Sequence, residues 1–198
     1  PYTVTPHVAF VKPEAEEVKY RAKEAKFLLS FAVNRTNLLP EYMDNPTELA
    51  KLHTMIDELH TDKTITINRL DIIGYASPEG TLAHNKKLSE GRAIALRDYM
   101  ASRYEFPKKL YHIEFGGENW DGLVEALSAI DMEYKDEVLQ IIRDIPIESG
   151  REKKLMDLHR GEPFRFMLKN IFPSLHIAIC RVNYNVRNFN VDEAKEII

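Results

Sequence analysis

Apolar positions along this chain fall into blocks that alternate between a period of two and a helical period. Phe27, Leu29, Phe31 and Val33 alternate with Lys26, Leu28, Ser30 and Ala32, which predicts a first strand. Asn45-Pro46-Thr47-Glu48 predicts a helix start: Asn45 as the cap, Pro46 in the first turn, Glu48 completing a capping box. Leu49, Leu52, Ile56 and Leu59 follow at helical spacing. Ile65 to Ile73 predicts a second strand whose apolar phase moves from Ile65 and Ile67 to Leu70 and Ile72. Such a strand is either buried on both faces or bulged near Asn68. The loop Gly74-Tyr-Ala-Ser-Pro-Glu-Gly80 leads into a helix from about Leu82 to Arg103, and Tyr111, Ile113 and Phe115 predict a third strand ended by Gly116-Gly117.

Residues 118–173 read as several short helices, around Leu123/Leu127/Ile130, Val138/Ile141/Ile142/Ile145, Leu155 and Phe166. Ala178, Cys180, Val182, Tyr184 and Val186 then alternate with Arg181, Asn183 and Asn185, a strand with one solvated face. The order β-α-β-α-β, helical insertion, β predicts an α/β sandwich: one mixed four-stranded sheet with helices on one face. Residues 1–24, Pro/Thr-rich and then charged, read as a lead-in arm. Residues 25–187 read as one domain carrying the insertion 118–173, and residues 188–198 as the start of a following segment. With no leader at Pro1 and a helix-like opening at the end, the chain is expected to be an excised piece of a longer protein.

Composition narrows the function. Thirty-one acidic against 27 basic residues give a net charge of −4, which offers no broad basic footprint for nucleic acid. A single cysteine, Cys180, excludes an internal disulfide framework and a cysteine-rich zinc site. No apolar run approaches the ~20 residues of a membrane-spanning helix.

One residue breaks the pattern of the second helix. At about 100° per residue, Leu88, Gly91, Ala95, Leu96, Tyr99 and Met100 share an apolar arc, with Lys86, Lys87, Glu90 and Arg97 opposite. Arg92 falls inside that arc, and Asn85 lies on the same stripe. Arginine cannot shed its charge, so on a covered face it needs an anionic partner or an open pocket. The preceding loop offers Ser77, Glu79 and free backbone amides. Two readings stay open: Arg92 pairs internally with Glu79 or Asp71 or reaches solvent, or it holds a ligand.

Gly74-Tyr-Ala-Ser-Pro-Glu-Gly80 followed by Asn85, Leu88-Ser89 and Arg92-Ala93 resembles the peptidoglycan-associating module of the OmpA C-terminal family, which includes the Pal lipoproteins. Arg181-Val182-Asn183-Tyr184 is similar to the closing strand of that module, so the resemblance covers about residues 25–117 and 175–187. Ser-Pro-Glu-Gly, Glu118-Asn-Trp120 and Ile171-Phe-Pro-Ser-Leu175 resemble a subgroup from envelope proteins of Gram-negative gut anaerobes. The resemblance implies a periplasmic or outer-membrane-associated module that grips the diaminopimelate of the peptidoglycan stem. In the family an Arg and loop amides hold a carboxylate, and a loop Asp holds the ammonium. The Arg falls on Arg92, where a guanidinium fork suits a carboxylate. The Asp falls on Ser77, which carries no charge, a loss of about 1.5–3 kcal/mol. Glu79 is the available substitute, and Asn85 and Gly80 complete the expected ligand-binding set.

Other clusters are expected to be structural. His53, Asp57 and His60 approach metal-ligand spacing but lack a further ligand nearby, and read as boundary histidines. Glu118, Asp121 and Glu125 read as acids complementing a helix start, Trp120 as an anchor for the insertion, and Cys180 as an inert core thiol. No catalytic, metal or cofactor site is expected. The function expected is a non-catalytic envelope module binding the peptidoglycan stem, with other envelope proteins as further partners. The alternative is the same fold, without wall binding, as a structural or protein-interaction domain of a larger outer-membrane-associated protein.

Overall fold

A computed structural model describes residues 20–187; the residues before Tyr20 in the expected lead-in arm, and those after Arg187, lie outside the described residues. The elements are β1 (Tyr20–Ser30), α1 (Asn45–Thr61), β2 (Ile65–Ala76), α2 (Leu82–Arg103) and β3 (Tyr111–Glu118), then α3 (Trp120–Ser128), α4 (Lys135–Asp144), α5 (Arg151–Asp157), α6 (Glu162–Asn170) and β4 (Ile177–Arg187). The sheet runs β1-β4-β2-β3. β4 is antiparallel to both neighbours, while β2 and β3 are parallel, as the α2 crossover requires. The expected mixed four-stranded sheet is therefore present.

Leu29, Leu52, Ile56, Leu70, Ile72, Ala93, Leu96, Met100, Ala178, Cys180 and Val182 form the core between sheet and helices. The opposite sheet face is polar toward one end, where Asn183 donates to Asp71 at 2.8 Å, Arg69 pairs with Asp71 and Arg181 lies 3.8 Å from Glu24, and apolar beside it, where Leu28, Ile179 and Ile73 are neighbours across the strands. A second core, including Trp120, Leu123, Leu127, Val138, Leu155, Met167 and Phe172, holds the insertion together. α2 lies close on β2 because Gly74 has no side chain. A Cβ there would collide with the Ser89 carbonyl and the Ala93 amide nitrogen.

Three local expectations are corrected. β1 starts at Tyr20, inside the charged stretch, and ends at Ser30, so Val33 lies beyond it and is exposed. Pairing with β4 along its whole length outweighs the polarity of residues 20–26. Asn45 does not cap α1; the cap is Asp44. Asn45 is fully buried and turned onto the strand, accepting from the Ser30 amide at 2.7 Å and donating to the Ser30 and Leu39 carbonyls at 2.9 and 2.8 Å. Glu48 closes no capping box: it accepts from the Leu28 amide at 3.2 Å and pairs with Lys51 at 2.8 Å. The free edge of β1 needs partners there, and these two side chains supply them. In β2 the change of apolar phase is a bulge: its pairing with β4 shifts between Ile67 and Arg69. β3 runs through Gly116-Gly117 to Glu118, where the Asn119 amide still reaches the Ala76 carbonyl at 2.8 Å.

Asn45→Ala strands the Ser30 and Leu39 main-chain groups and is expected to cost about 2–4 kcal/mol with an unchanged denaturant slope. Urea unfolding checks this, and a much smaller loss would show that water satisfies the edge.

Candidate functional site

The β2–α2 loop and the first turns of α2 gather the residues that the sequence singles out. Thr81 caps α2, its hydroxyl accepting from the His84 amide at 3.2 Å, so the helix start faces the loop. Arg92, less than three turns into α2, has no exposed surface. Its Nε donates to the Arg35 carbonyl at 3.1 Å, Nη1 to Tyr75 at 2.8 Å and Nη2 to Ala32 at 3.3 Å. The guanidinium also lies 5.7 Å from the centre of the Phe31 ring. No carboxylate pairs with it among the described residues. Burial pulls its pKa down to about 10, so it stays charged at neutral pH. The fork joins the chain after β1 to the end of β2.

Ser77 is buried, and its hydroxyl lies 2.8 Å from Nε2 of His176, itself buried just before β4. Burial first, and the nearby Arg92 charge second, pull the His176 pKa down to about 4, so the imidazole is neutral. Its Nδ1 has no partner among the described residues. A proton on Nε2, given to Ser77, leaves only an acceptor unpaired there. Glu79 Oε1 lies 3.7 Å from Nε2. Asn85, also buried, donates to the Glu79 carbonyl at 3.0 Å and to Glu118 at 2.7 Å. The other Glu118 oxygen accepts from the Trp120 indole at 2.8 Å. Gly80 adopts φ +91°, and its amide donates at 3.0 Å to Glu152 of α5.

The fold thus brings Arg92, Ser77, Glu79, Gly80 and Asn85 into one neighbourhood; the Arg92, Ser77 and Asn85 side chains and the Gly80 amide have hydrogen-bond partners inside the chain, while the Glu79 carboxylate is half-buried and has no hydrogen bond among the described residues. Arg92 is held by carbonyls, and not by Glu79 or Asp71. Three surface grooves run beside α1 and β1, and none is lined by any of these five residues. His176 and Glu152 were missed in the sequence: one precedes a strand without a motif, and the other sits in the charged run Arg151-Glu152-Lys153-Lys154.

The remaining candidates have internal contacts. His53 lies 3.0 Å from the Tyr99 hydroxyl, and His60 stacks on Phe106. Among the described residues no group of His, Cys, Asp or Glu is arranged to hold a metal ion. Trp120 is buried in the insertion core, with Arg151 over its ring at 4.7 Å. Asp121 and Glu125 are exposed, and Cys180 is fully buried, its thiol pushed up to about 12 by burial.

No family model matches the chain. A stretch of 50 residues is 38% identical to "Outer membrane protein 41" of Porphyromonas gingivalis (strain ATCC BAA-308 / W83), covering 25% of this chain and 13% of that relative. Among solved structures, the OmpA-like domain of FopA1 from Francisella tularensis subsp. tularensis SCHU S4 matches 87% of this chain and 83% of its own, at 15% identity and a TM-score of 0.45. The periplasmic domain of MotB matches 100% and 95%, at 10% identity and a TM-score of 0.36. Both likenesses are loose, and the architecture rests on the strand order described above.

His176 makes stability depend on pH. Its pKa is about 4 folded against 6.5 unfolded, so its contribution is complete above 6.5 and is lost as pH falls toward 4. The loss is about 3 kcal/mol; His53, also lowered by burial, adds in the same direction. His176→Gln is expected to flatten the fall in stability between these pH values, and an unchanged slope in urea titrations would contradict the assignment.

Proposed function

We propose that this chain is a non-catalytic module of the bacterial cell envelope, with an OmpA-like fold that serves as a structural or protein-interaction domain and does not grip the wall. The observation that carries this reading is the state of Arg92. A guanidinium that is to hold a stem-peptide carboxylate needs a reachable fork, and here the fork is buried and bonded to three main-chain carbonyls. Two further parts of the expected grip, the Gly80 amide and Ser77, are engaged as well. The Gly80 amide already carries a carboxylate from Glu152, and Ser77, which replaces the family's charged Asp, is bound to a neutral histidine.

Placement in the envelope is supported by the name of the partial relative, an outer membrane protein, and by the loop-helix resemblance at residues 74–93. The matched stretch is a small part of that relative, so the activity and partners of a whole protein are inferred here from this module alone. Among the described residues no helix is long and apolar enough to cross a membrane. The partners that fit are other envelope proteins.

A second reading has one observation in its favour. The Arg92 charge has no anionic partner among the described residues, and a buried unpaired cation attracts an anion. In that reading the segment after β1 that carries Ala32 and Arg35, and the end of β2 at Tyr75, release the fork, and a peptidoglycan carboxylate takes it.

Co-sedimentation with purified diaminopimelate-containing sacculi separates the two without a variant. The proposed function predicts no retention of the wild-type chain. Retention that free diaminopimelate displaces would establish wall binding instead.

A further inference from the structure

β1 is an edge strand, and most of its free side is uncovered. Its even-numbered main-chain groups point away from β4, since the Leu28 and Ser30 amides reach the side chains of Glu48 and Asn45. Those two side chains close the edge at its far end. From Ala22 to Lys26 the outward groups have no partner among the described residues. α1 runs back along the same edge. Its His53 and His60 turn toward Tyr99 and Phe106, at and beyond the end of α2. Lys51, Thr54, Met55 and Glu58 are left on the flank beside the free edge, where Lys23 shares a groove with Thr54, Met55 and Glu58. From Leu28 to Ala25 a strand advances about 10 Å, which a helix covers in about seven residues. Glu48 reaches Leu28, so Ala25 lies level with Met55.

We propose that β1 is a self-association edge: a second copy of this chain pairs with it antiparallel, about a two-fold axis through Ala25. The charges select that register. Charged side chains on an edge strand resist indiscriminate pairing, and like charges set directly opposite destabilise a ladder. An axis between two residues sets outward groups against inward ones and makes no ladder. An axis through Lys23, Glu24 or Lys26 opposes that charge to itself, and one through Ala22 opposes Arg21 to Lys23. Within the open stretch, an axis through Ala25 alone opposes Glu24 to Lys26 of the second copy, with the small Ala25 side chains meeting on the helix side. Glu24 then lies between Arg181 of its own chain, at 3.8 Å, and that lysine. The main-chain groups of Glu24 and Lys26 satisfy each other across the axis. The same axis crosses α1 between Thr54 and Met55. Lys51 of one copy, paired in its own chain with Glu48, there faces Glu58 of the other, and the short, exposed Ala50 and Thr54 let the two helices approach. Strand and helix are self-complementary about one line, as a two-fold interface requires. Pairing with a second copy goes beyond the proposed function and is independent of wall binding, because β4 separates β1 from β2 and its loop.

Sedimentation equilibrium of the full chain over a dilution series tests this. A reversible dimer is expected. A chain that stays monomeric up to about 1 mM overturns the proposal, including one whose Glu24 and Lys26 amides are protected because its own residues cover the edge. Lys26→Glu sets like charges opposite each other on both sides of the axis and is expected to weaken the dimer about tenfold. Adding Glu24→Lys restores the opposite pairs and the affinity. The two Ala25 residues face each other as a non-hydrogen-bonded pair, about 4.5 Å apart at Cα, which suits a disulfide. Ala25→Cys is therefore expected to give a covalent dimer under a copper–phenanthroline oxidant. Ala22→Cys, about 20 Å from its copy, is expected to stay single, and Cys180 is fully buried. Far-UV circular dichroism verifies that each variant is folded. A dimer indifferent to Lys26→Glu, a double variant no tighter than the single one, or cross-linking equal at positions 22 and 25 overturns the proposal.

Discussion

A single guanidinium, cut off from water, ties together the segment after β1 and the end of β2. Arg92 brings three donors to the carbonyls of Arg35, Tyr75 and Ala32, and its charge strengthens each of those bonds. An isolated charge in a core is costly, and main-chain dipoles from two segments replace part of its lost hydration. The arrangement depends on how close α2 lies to β2. That closeness depends on the bare backbone at Gly74 and the small residues Ser89 and Ala93 opposite it.

The same packing gives the loop-helix motif an architectural meaning. Gly74, Ser89 and Ala93 let the helix approach, Asn85 ties the Glu79 carbonyl to Glu118, and Arg92 closes the joint. Each of these five residues has a task that requires no ligand. These packing tasks account for the residues whether or not the loop ever meets a ligand. The insertion adds to the same joint: Glu118 holds the Trp120 indole, and Glu152 lies on the Gly80 amide.

Much of the fold was legible because periodicity reports burial. The bulge in β2 was foreshadowed by the shift of apolar phase between Ile67 and Leu70, and Arg92 stood out because it interrupts an apolar arc. Asn45 and Glu48 were misread because a local capping signal was weighed without the free edge of a strand fifteen residues and more away, and that edge claimed both side chains. The strand boundary at Tyr20 was missed because partner strand β4 outweighs local polarity. In the site, the anomaly at Arg92 was visible but its acceptors were not, since the carbonyls of Ala32, Arg35 and Tyr75 leave no mark on residue types. His176 and Glu152 reach the loop only through the long-range fold.

The fold consumes the positive charge of Arg92 in its own carbonyls. Nitrogen-15 NMR of the Arg92 Nε–H reads this directly, in the intact chain, as free diaminopimelate is added to saturating concentration. A slowly exchanging Nε–H resonance that does not move is expected. A resonance that exchanges rapidly with water and shifts in a saturable way with the amino acid would contradict it.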